Sequence, residues 1–115
     1  MTGSRARFVL AVAILLRNAA QAVADREGIV EVSIEEREDG IAVRVDDNGP
    51  GVPIDQRDTI FKPGVTLRPG GSGQGLALVW QVVVGEMLGS VACRDSPLGG
   101  ARFEIVMPAK GGKGT

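Results

Sequence analysis

The sequence contains no histidine and only one cysteine among its 115 residues. Without histidine, the chain cannot use an imidazole as a general base, bind a metal through imidazole or build a serine–histidine triad. The single cysteine, Cys93, excludes an internal disulfide and a cysteine-rich metal site, and it is typical of a small core residue in a reducing compartment. Aromatic residues make up only 3%, so we expect an aliphatic core.

Long hydrophobic runs and blocks of one charge are also missing. The longest apolar stretch, residues 8–16, is far shorter than the ~20 residues that a bilayer span needs, and no signal-peptide cleavage site follows it. The net charge is −1 and no basic block precedes the tail, so nucleic acid is not an expected partner. We expect a soluble cytoplasmic domain without membrane contact of its own, whatever anchor a longer parent protein carries.

The apolar residues that are present predict one folded domain over residues 1–109 and a disordered tail at 110–115. Hydrophobic residues make up 43% of the chain, enough for a core. Their spacing predicts an α/β (α+β) two-layer sandwich, in which helices cover one face of a mixed, mostly antiparallel sheet. The predicted elements are a helix at 5–25, strands at 29–37 and 41–46 joined at Asp39-Gly40, a short helix at 55–61, a buried helix at 74–88 capped by Gly89, and strands at 90–94 and 101–107.

Asp47 lies at the end of the second predicted strand, beyond the apolar positions Val43 and Val45. Because strand side chains alternate with a period of two, the carboxylate should point to the same side as these valines. A buried carboxylate needs partners, and an exocyclic amine such as that of adenine is a suitable one. The alternative is a turn aspartate that caps local amides.

Asn18 stands in the middle of the first predicted helix, where asparagine is a mediocre helix former. Its side-chain oxygen is a ligand of the kind that Mg²⁺ prefers. The alternative is a solvated or locally bonded side chain.

A glycine-rich segment, residues 70–75, opens the second long helix. Glycines let the backbone approach a ligand, and a helix N-terminus offers free amides to phosphate. The segment matches neither a Walker loop nor a dinucleotide fingerprint. The loop before this segment, residues 62–70, is interpreted as a lid over the ligand. Its Lys62 and Arg68 could neutralise phosphate charge, or they could be exposed cations.

Five segments together resemble, in order and spacing, the sequence boxes of the GHKL ATP-binding superfamily, and the phenylalanine box favours histidine kinases within it. The resemblance covers about residues 5–108. The matching segments are 15–19 (asparagine box), 47–51 (first glycine box), 60–63 (phenylalanine box), 71–76 (second glycine box) and 99–103 (terminal glycine box).

The resemblance implies the histidine kinase ATPase-domain fold and assigns roles to particular residues. Asp47 is implied to bind the adenine amine of ATP, and Asn18 to be the catalytic-site ligand of the Mg²⁺ that bridges the phosphates. The other implied roles are lining of the base pocket by Gly49 and Gly51, binding of the phosphates by Arg68, Gly71, Gly73, Gly75 and Leu76, and docking of the lid onto partner helices by Phe61.

Several positions depart from the family pattern. Ile14 stands where the family has another asparagine, and because it lies one helical turn before Asn18 it should face the same phosphates. Gln21 replaces a lysine that reaches the phosphates. Gln74 replaces a leucine, and Gly64 replaces an aromatic residue. The family's sheet also begins with a strand before the first helix. We expect that strand and the histidine-bearing helices to be missing here, which leaves a sheet edge that could pair with another chain.

The expected activity is phosphoryl transfer from MgATP to a histidine on a separate dimerisation and phosphoacceptor domain, in two-component signal transduction. A response regulator is the expected indirect partner. In such a reaction the protein supplies positioning and charge neutralisation. Two alternatives stay open: a non-catalytic module for nucleotide sensing or protein docking, and a serine-directed kinase of the anti-sigma type.

Overall fold

The computed structural model describes residues 2–66 and 73–108, with side chains from residue 5 onward. The predicted tail at 110–115 therefore lies outside the described residues. Within them, no helix is long and apolar enough to cross a membrane. The elements are α1 (Thr2–Ala22), β1 (Val30–Arg37), β2 (Gly40–Asp47), two 3₁₀ turns (Ile54–Gln56 and Thr59–Phe61), α2 (Gly75–Trp80) continued by a π-helical segment (Gln81–Glu86), β3 (Ser90–Asp95) and β4 (Ala101–Pro108).

The four strands form one sheet in the order β1-β2-β4-β3, and every neighbouring pair is antiparallel. Side chains from both helices and from the odd-numbered positions of β2, β3 and β4 share one core. Because strand side chains alternate, these positions all lie on one face of the sheet. The prediction of a two-layer sandwich with helices on one face is confirmed.

The core is mainly aliphatic, as predicted. Leu15 of α1 and Val82 of the π-helical segment are fully buried against Val45, Phe103 and Ile105 of the sheet. Burial of such side chains is the main favourable term in folding. This packing fixes how the end of β2 lies beneath α1.

The opposite face of the sheet is charged. Arg44 donates from Nε to Glu104 at 2.8 Å and from Nη2 to Glu35 at 2.8 Å, so the pairs run across three strands. These side chains occupy the positions that alternate with the core residues. The face is therefore suited to solvent rather than to a second helical layer.

The apolar face predicted for the first strand is only partly covered. Val32 and Ile34 pair with Val45 and Val43 and share their side of the sheet, yet they are 46% and 70% exposed. The reason is that α1 packs chiefly over β2 rather than over the edge strand. Pairing of this edge with another chain stays a prediction.

The β1–β2 turn differs from the prediction by one residue. Arg37 pairs with Gly40, so Glu38 and Asp39 form the loop. A tight hairpin turn centred on Asp39-Gly40 would need positive φ at both residues, but among the described residues other than glycine only Leu88 has one. The predicted turn at Asp39-Gly40 is therefore wrong. Gly40 is instead held in the sheet, because it also pairs with Pro108 of β4.

The second helix is also less regular than predicted. Val82 is buried, but Trp80 is 44% exposed, so the helix is not buried all round. After Trp80 the helix widens, and the Met87 N–H donates to the Val82 carbonyl at 3.0 Å, a π-type bond. The π-helical segment ends at Glu86, and Leu88, with φ of 59°, takes the left-handed conformation one residue before the predicted cap at Gly89.

Candidate functional site

A cavity of about 600 Å³ lies between the C-terminal half of α1, the segment after β2 and the start of β4. It contains the two residues that the sequence singled out for chemistry, Asp47 and Asn18. The full lining is Asn18, Gln21, Ala22, Ala24, Asp25, Arg26, Asp47, Pro50, Gly51, Val52, Pro53, Gln56, Ala101 and Phe103.

Asp47 is the buried acid of this cavity. It is only 1% exposed and points to the same side of β2 as Val43 and Val45, as the period-two pattern predicts. Its Oδ1 accepts hydrogen bonds from the N–H of Gly49 at 2.8 Å and of Ala101 at 3.1 Å. Its second oxygen accepts no bond from the described part of the chain. One oxygen is thus held in place, and the other is available to a ligand.

Gly100 and Ala101, at the point where β4 begins, hold Asp47 in place, a role that the sequence did not reveal. The Gly100 N–H donates to the Asp47 carbonyl at 3.1 Å, next to the bond from Ala101. A β-carbon at position 100 would collide with Asp47 Oδ1 and would lie 2.5 Å from the Gly49 nitrogen. Only glycine leaves room here. The terminal glycine box was the available signal, but the pairing of β2 with β4 is what gives it a purpose.

The two glycines predicted for the base pocket have different positions. Gly51, with φ of 77°, lines the cavity. Gly49 lies behind Asp47, and a β-carbon on it would come within 2.9 Å of the Ala22 carbonyl. Gly49 therefore lets the end of α1 approach the acid, while Gly51 shapes the cavity wall.

Asn18 forms part of the opposite wall, on the half-buried side of α1. Ile14 lies one turn earlier on the same helix face, since residues four apart are neighbours. A β-carbon built on Gly75 would lie 3.2 Å from Ile14 Cγ2. The structure thus brings Ile14 against the first residue of α2, as the prediction that Ile14 faces the phosphate-binding segment requires.

The glycine-rich segment is described only in part. Arg68 and Gly71 lie outside the described residues, whereas Gly73, Gly75 and Leu76 lie within them. The Gly64 N–H donates to the Gly73 carbonyl at 2.9 Å. The start of the lid and the residue just beyond it therefore meet at the N-terminal end of α2.

Phe61 is buried beside α2 and β4 rather than presented to a partner. Its ring lies 5.7 Å from that of Trp80 and 6.1 Å from that of Phe103. Trp80 is the more exposed of the three. The predicted docking of partner helices through Phe61 is not visible in this arrangement, and it stays a prediction.

Arg57 holds the segment after Gly51, which forms one wall of the cavity. It donates from Nε to the Val52 carbonyl at 2.8 Å and from Nη2 to Asp95 at 2.6 Å. The segment after β2 is thereby tied to the end of β3.

The described lining carries little positive charge. Arg26 is its one cation, and Asp25 and Asp47 are anionic. No cluster of three metal-ligating histidine, cysteine, aspartate or glutamate side chains occurs within residues 2–66 and 73–108. A cation bound here would rely on the Asn18 oxygen together with oxygens of a ligand and water, a donor set that suits Mg²⁺.

Cys93 takes no part in this chemistry. Burial raises the pKa of its thiol from 9.0 to about 11. The thiol is therefore protonated at neutral pH and is not a nucleophile. This agrees with the prediction of a core residue.

Comparisons with known proteins identify the domain. A family model described as histidine kinase-, DNA gyrase B- and HSP90-like ATPase matches residues 3–111. The chain is 38% identical over 98 residues to the C4-dicarboxylate transport sensor protein DctB of Rhizobium meliloti (strain 1021). The matched region covers 84% of this chain and 16% of DctB. The chain thus spans about a sixth of the length of that curated relative.

Solved structures agree with the sequence comparison. The catalytic domain of the histidine kinase ThkA superimposes with a TM-score of 0.82 at 25% identity, over 90% of this chain and 67% of that one. The ATP binding domain of PrrB from Mycobacterium tuberculosis gives a TM-score of 0.74 at 33% identity, over 90% and 68%. The chain therefore belongs to the family of histidine kinase-, DNA gyrase B- and HSP90-like ATPases, as a domain of the histidine kinase catalytic type.

Proposed function

We propose that this domain binds MgATP in the cavity between Asp47 and Asn18 and transfers the γ-phosphate to a histidine of a separate dimerisation and phosphoacceptor domain. The single observation that carries the proposal is the Asp47 carboxylate, with one oxygen fixed and the other available to the cavity. The acceptor histidine belongs to another domain because this chain has none. The setting is two-component signalling in the cytoplasm, with a response regulator as the indirect partner.

Adenine recognition follows from the chemistry of Asp47. A carboxylate oxygen accepts a hydrogen bond from the exocyclic amine of adenine, and such a charge-assisted bond is stronger than a neutral one. The acid is already held by two backbone donors, so binding needs little reorganisation. A volume of about 600 Å³ lies within the usual range for small-molecule sites.

With the adenine at Asp47, the phosphates would extend towards Asn18 and the N-terminal end of α2. Mg²⁺, when bound with the nucleotide, neutralises phosphate charge, which the single cation of the described lining cannot do alone. Asn18 supplies an oxygen for it, and Arg68, Gly71, Gly73, Gly75 and Leu76 are the proposed phosphate-binding residues of the lid and α2.

The transfer itself needs positioning more than covalent chemistry. A ring nitrogen of the acceptor histidine forms a bond to the γ-phosphorus while the bond from that phosphorus to the β–γ bridging oxygen breaks, and ADP leaves. Ile14, against Gly75, has no group that accepts a proton from water. This favours transfer to histidine over hydrolysis.

The test is transfer of labelled γ-phosphate to an added histidine-bearing dimerisation domain. We expect acid-labile label on the added domain and none on this chain. Acid-labile label on the isolated chain would contradict the proposal. Acid-stable label on an added protein would identify a serine-directed kinase instead.

A second candidate function is nucleotide sensing without catalysis. It is favoured by Gln21, a neutral residue in the cavity lining where the family has a lysine. On this alternative the chain binds MgATP with ordinary affinity, yet transfers nothing to the added histidine domain. The same transfer experiment, accompanied by a binding measurement, separates the two functions.

A further inference from the structure

Asn48, directly after Asp47, uses its side-chain amide to hold another segment of the chain. Its Oδ1 accepts the Ile29 N–H at 2.8 Å, and its Nδ2 donates to the Glu27 carbonyl at 3.0 Å. Its backbone N–H donates to the Ile29 carbonyl at 3.2 Å, and its carbonyl accepts from Arg26 Nη1 at 3.2 Å. Both ends of the amide and both backbone groups of Asn48 thus bind the loop between α1 and β1.

This loop is the rim of the cavity. Ala24, Asp25 and Arg26 belong to the lining, and every residue from 24 to 29 is exposed. In the part of the chain that the structure describes, the loop's hydrogen bonds to segments other than the end of α1 all go to Asn48. A segment with so little apolar anchorage opens easily unless hydrogen bonds hold it.

The segment that carries Asn48 also orients the Asp47 carboxylate. Gly49, the next residue, donates its N–H to Asp47 Oδ1 at 2.8 Å. Asn48 therefore lies between the bond that fixes the carboxylate and the bonds that fix the rim.

We infer that Asn48 is a positioning residue of the base site, which holds the rim at residues 24–26 at a set distance from the Asp47 carboxylate before any nucleotide binds. The inference rests on the proposed function, because it concerns the slot that takes the adenine. Asparagine suits this position because it offers a donor and an acceptor side by side. Aspartate has no N–H for the Glu27 carbonyl, and it would add negative charge beside Asp25 and Glu27.

The experiment compares Asn48→Ala and Asn48→Asp with the unmodified chain and with Ser33→Ala, an exposed position in β1 away from the cavity. The dissociation constants of the β,γ-imido analogues of ATP and GTP are measured by calorimetry with Mg²⁺. We expect both Asn48 variants to bind the ATP analogue about tenfold more weakly. Asn48→Ala loses both side-chain hydrogen bonds, whereas Asn48→Asp loses the bond to the Glu27 carbonyl and adds negative charge beside Asp25 and Glu27. The preference for the ATP analogue over the GTP analogue should fall by a similar factor, while Ser33→Ala changes neither value.

A purely structural role for Asn48 would weaken both nucleotides equally and leave the preference unchanged, which would overturn the inference. Hydrogen exchange at the Ile29 amide, measured on the unmodified chain without nucleotide, tests whether the rim is held before binding, even if the variants do not fold. The inference predicts slow exchange there, and exchange at the rate of an unstructured amide would overturn it. Failure of the unmodified chain to bind either analogue would instead count against the proposed function.

Discussion

At the Asp47 end of the cavity, separate strand ends and loops meet through backbone hydrogen bonds, whereas the Asn18 end is made by side chains on two helices. The acid is held by the N–H groups of Gly49 and Ala101. The other end depends on Asn18 and on the contact of Ile14 with Gly75. On the proposed function, base recognition is therefore built into the sheet, while the chemistry at the phosphates can change through single substitutions on α1.

The largest effect is expected where the sheet provides the acceptor. In Asp47→Asn, the amide oxygen can still accept from Gly49 and Ala101, which leaves the amide N–H₂ facing the amine of adenine. Two donors then oppose each other, so we expect ATP affinity to fall by about 2–3 kcal/mol, or about 30- to 150-fold. Calorimetric titration measures the loss, and the thermal midpoint should change little.

Asp46→Asn is the matched control for this variant. Asp46 is also buried, and its substitution removes the same charge. Its side chain faces the opposite side of the sheet and accepts a hydrogen bond from Arg102 Nε at 2.8 Å. We expect its ATP affinity to stay within about twofold of the unmodified value, because the residue does not line the cavity. Equal losses in the two variants would remove the distinction between base recognition and general charge.

The next effect concerns the helix end of the cavity. Asn18→Ala removes the proposed metal ligand, so we expect MgATP affinity to fall by at least about tenfold, while binding of ATP in excess chelator changes little. Arg17→Ala, an exposed position on the same helix, is the control. If MgATP and metal-free ATP lose affinity equally, Asn18 has a structural role and the magnesium assignment is wrong.

A smaller effect is expected from Ile14→Glu. General-base assistance typically contributes about 10²–10⁴-fold, but the apolar neighbours of this position would raise the pKa of the new carboxyl and keep part of it protonated. We expect phosphate release to rise roughly threefold or more over the negligible release of the unmodified chain. Steady release by the unmodified chain, abolished in Asn18→Ala, would show that another residue serves as the base.

The smallest effect is expected for Cys93, which lies in β3 and pairs with Phe103 of β4. Burial raises the pKa of the thiol from 9.0 to about 11, while Arg57 lowers it and Asp47 raises it. The folded chain holds this proton more tightly than the unfolded chain. Its contribution to the free energy of unfolding is therefore complete below about pH 9 and is lost as the pH rises towards about 11.

Denaturant titrations of the unmodified chain and of Cys93→Ala check this pH dependence. The difference between their free energies of unfolding should shift against the unmodified chain as the pH is raised through this range. A difference that stays constant from pH 8 to pH 11 would show that the thiol is not shielded.

Local patterns in the sequence predicted the parts of the site that depend on a single element. The alternation of β2 gave the direction of Asp47, and helical spacing placed Ile14 and Asn18 on one face of α1. Neither pattern depends on what packs nearby. Both assignments of direction agree with the structure for this reason.

Contacts between distant segments were not predictable in this way. The support of Asp47 by Ala101 joins residues 54 positions apart and requires the β2–β4 pairing, which no local pattern specifies. Exposure of Ile34 has the same origin, because alternation shows which face a residue shares but not whether a helix covers it. The turn at Glu38-Asp39 was missed because strand pairing outweighed the turn preference of Asp39-Gly40.

The most direct test of the account is a pair of calorimetric titrations of the unmodified chain, one with MgATP and one with its β,γ-imido analogue. On the proposed function, the base end provides the main recognition and the Ile14 end provides no base for hydrolysis. We therefore predict saturable binding of one nucleotide per chain, with closely similar affinities and no continuing heat of hydrolysis. Absence of binding, or binding that Asp47→Asn leaves unchanged, would contradict the account.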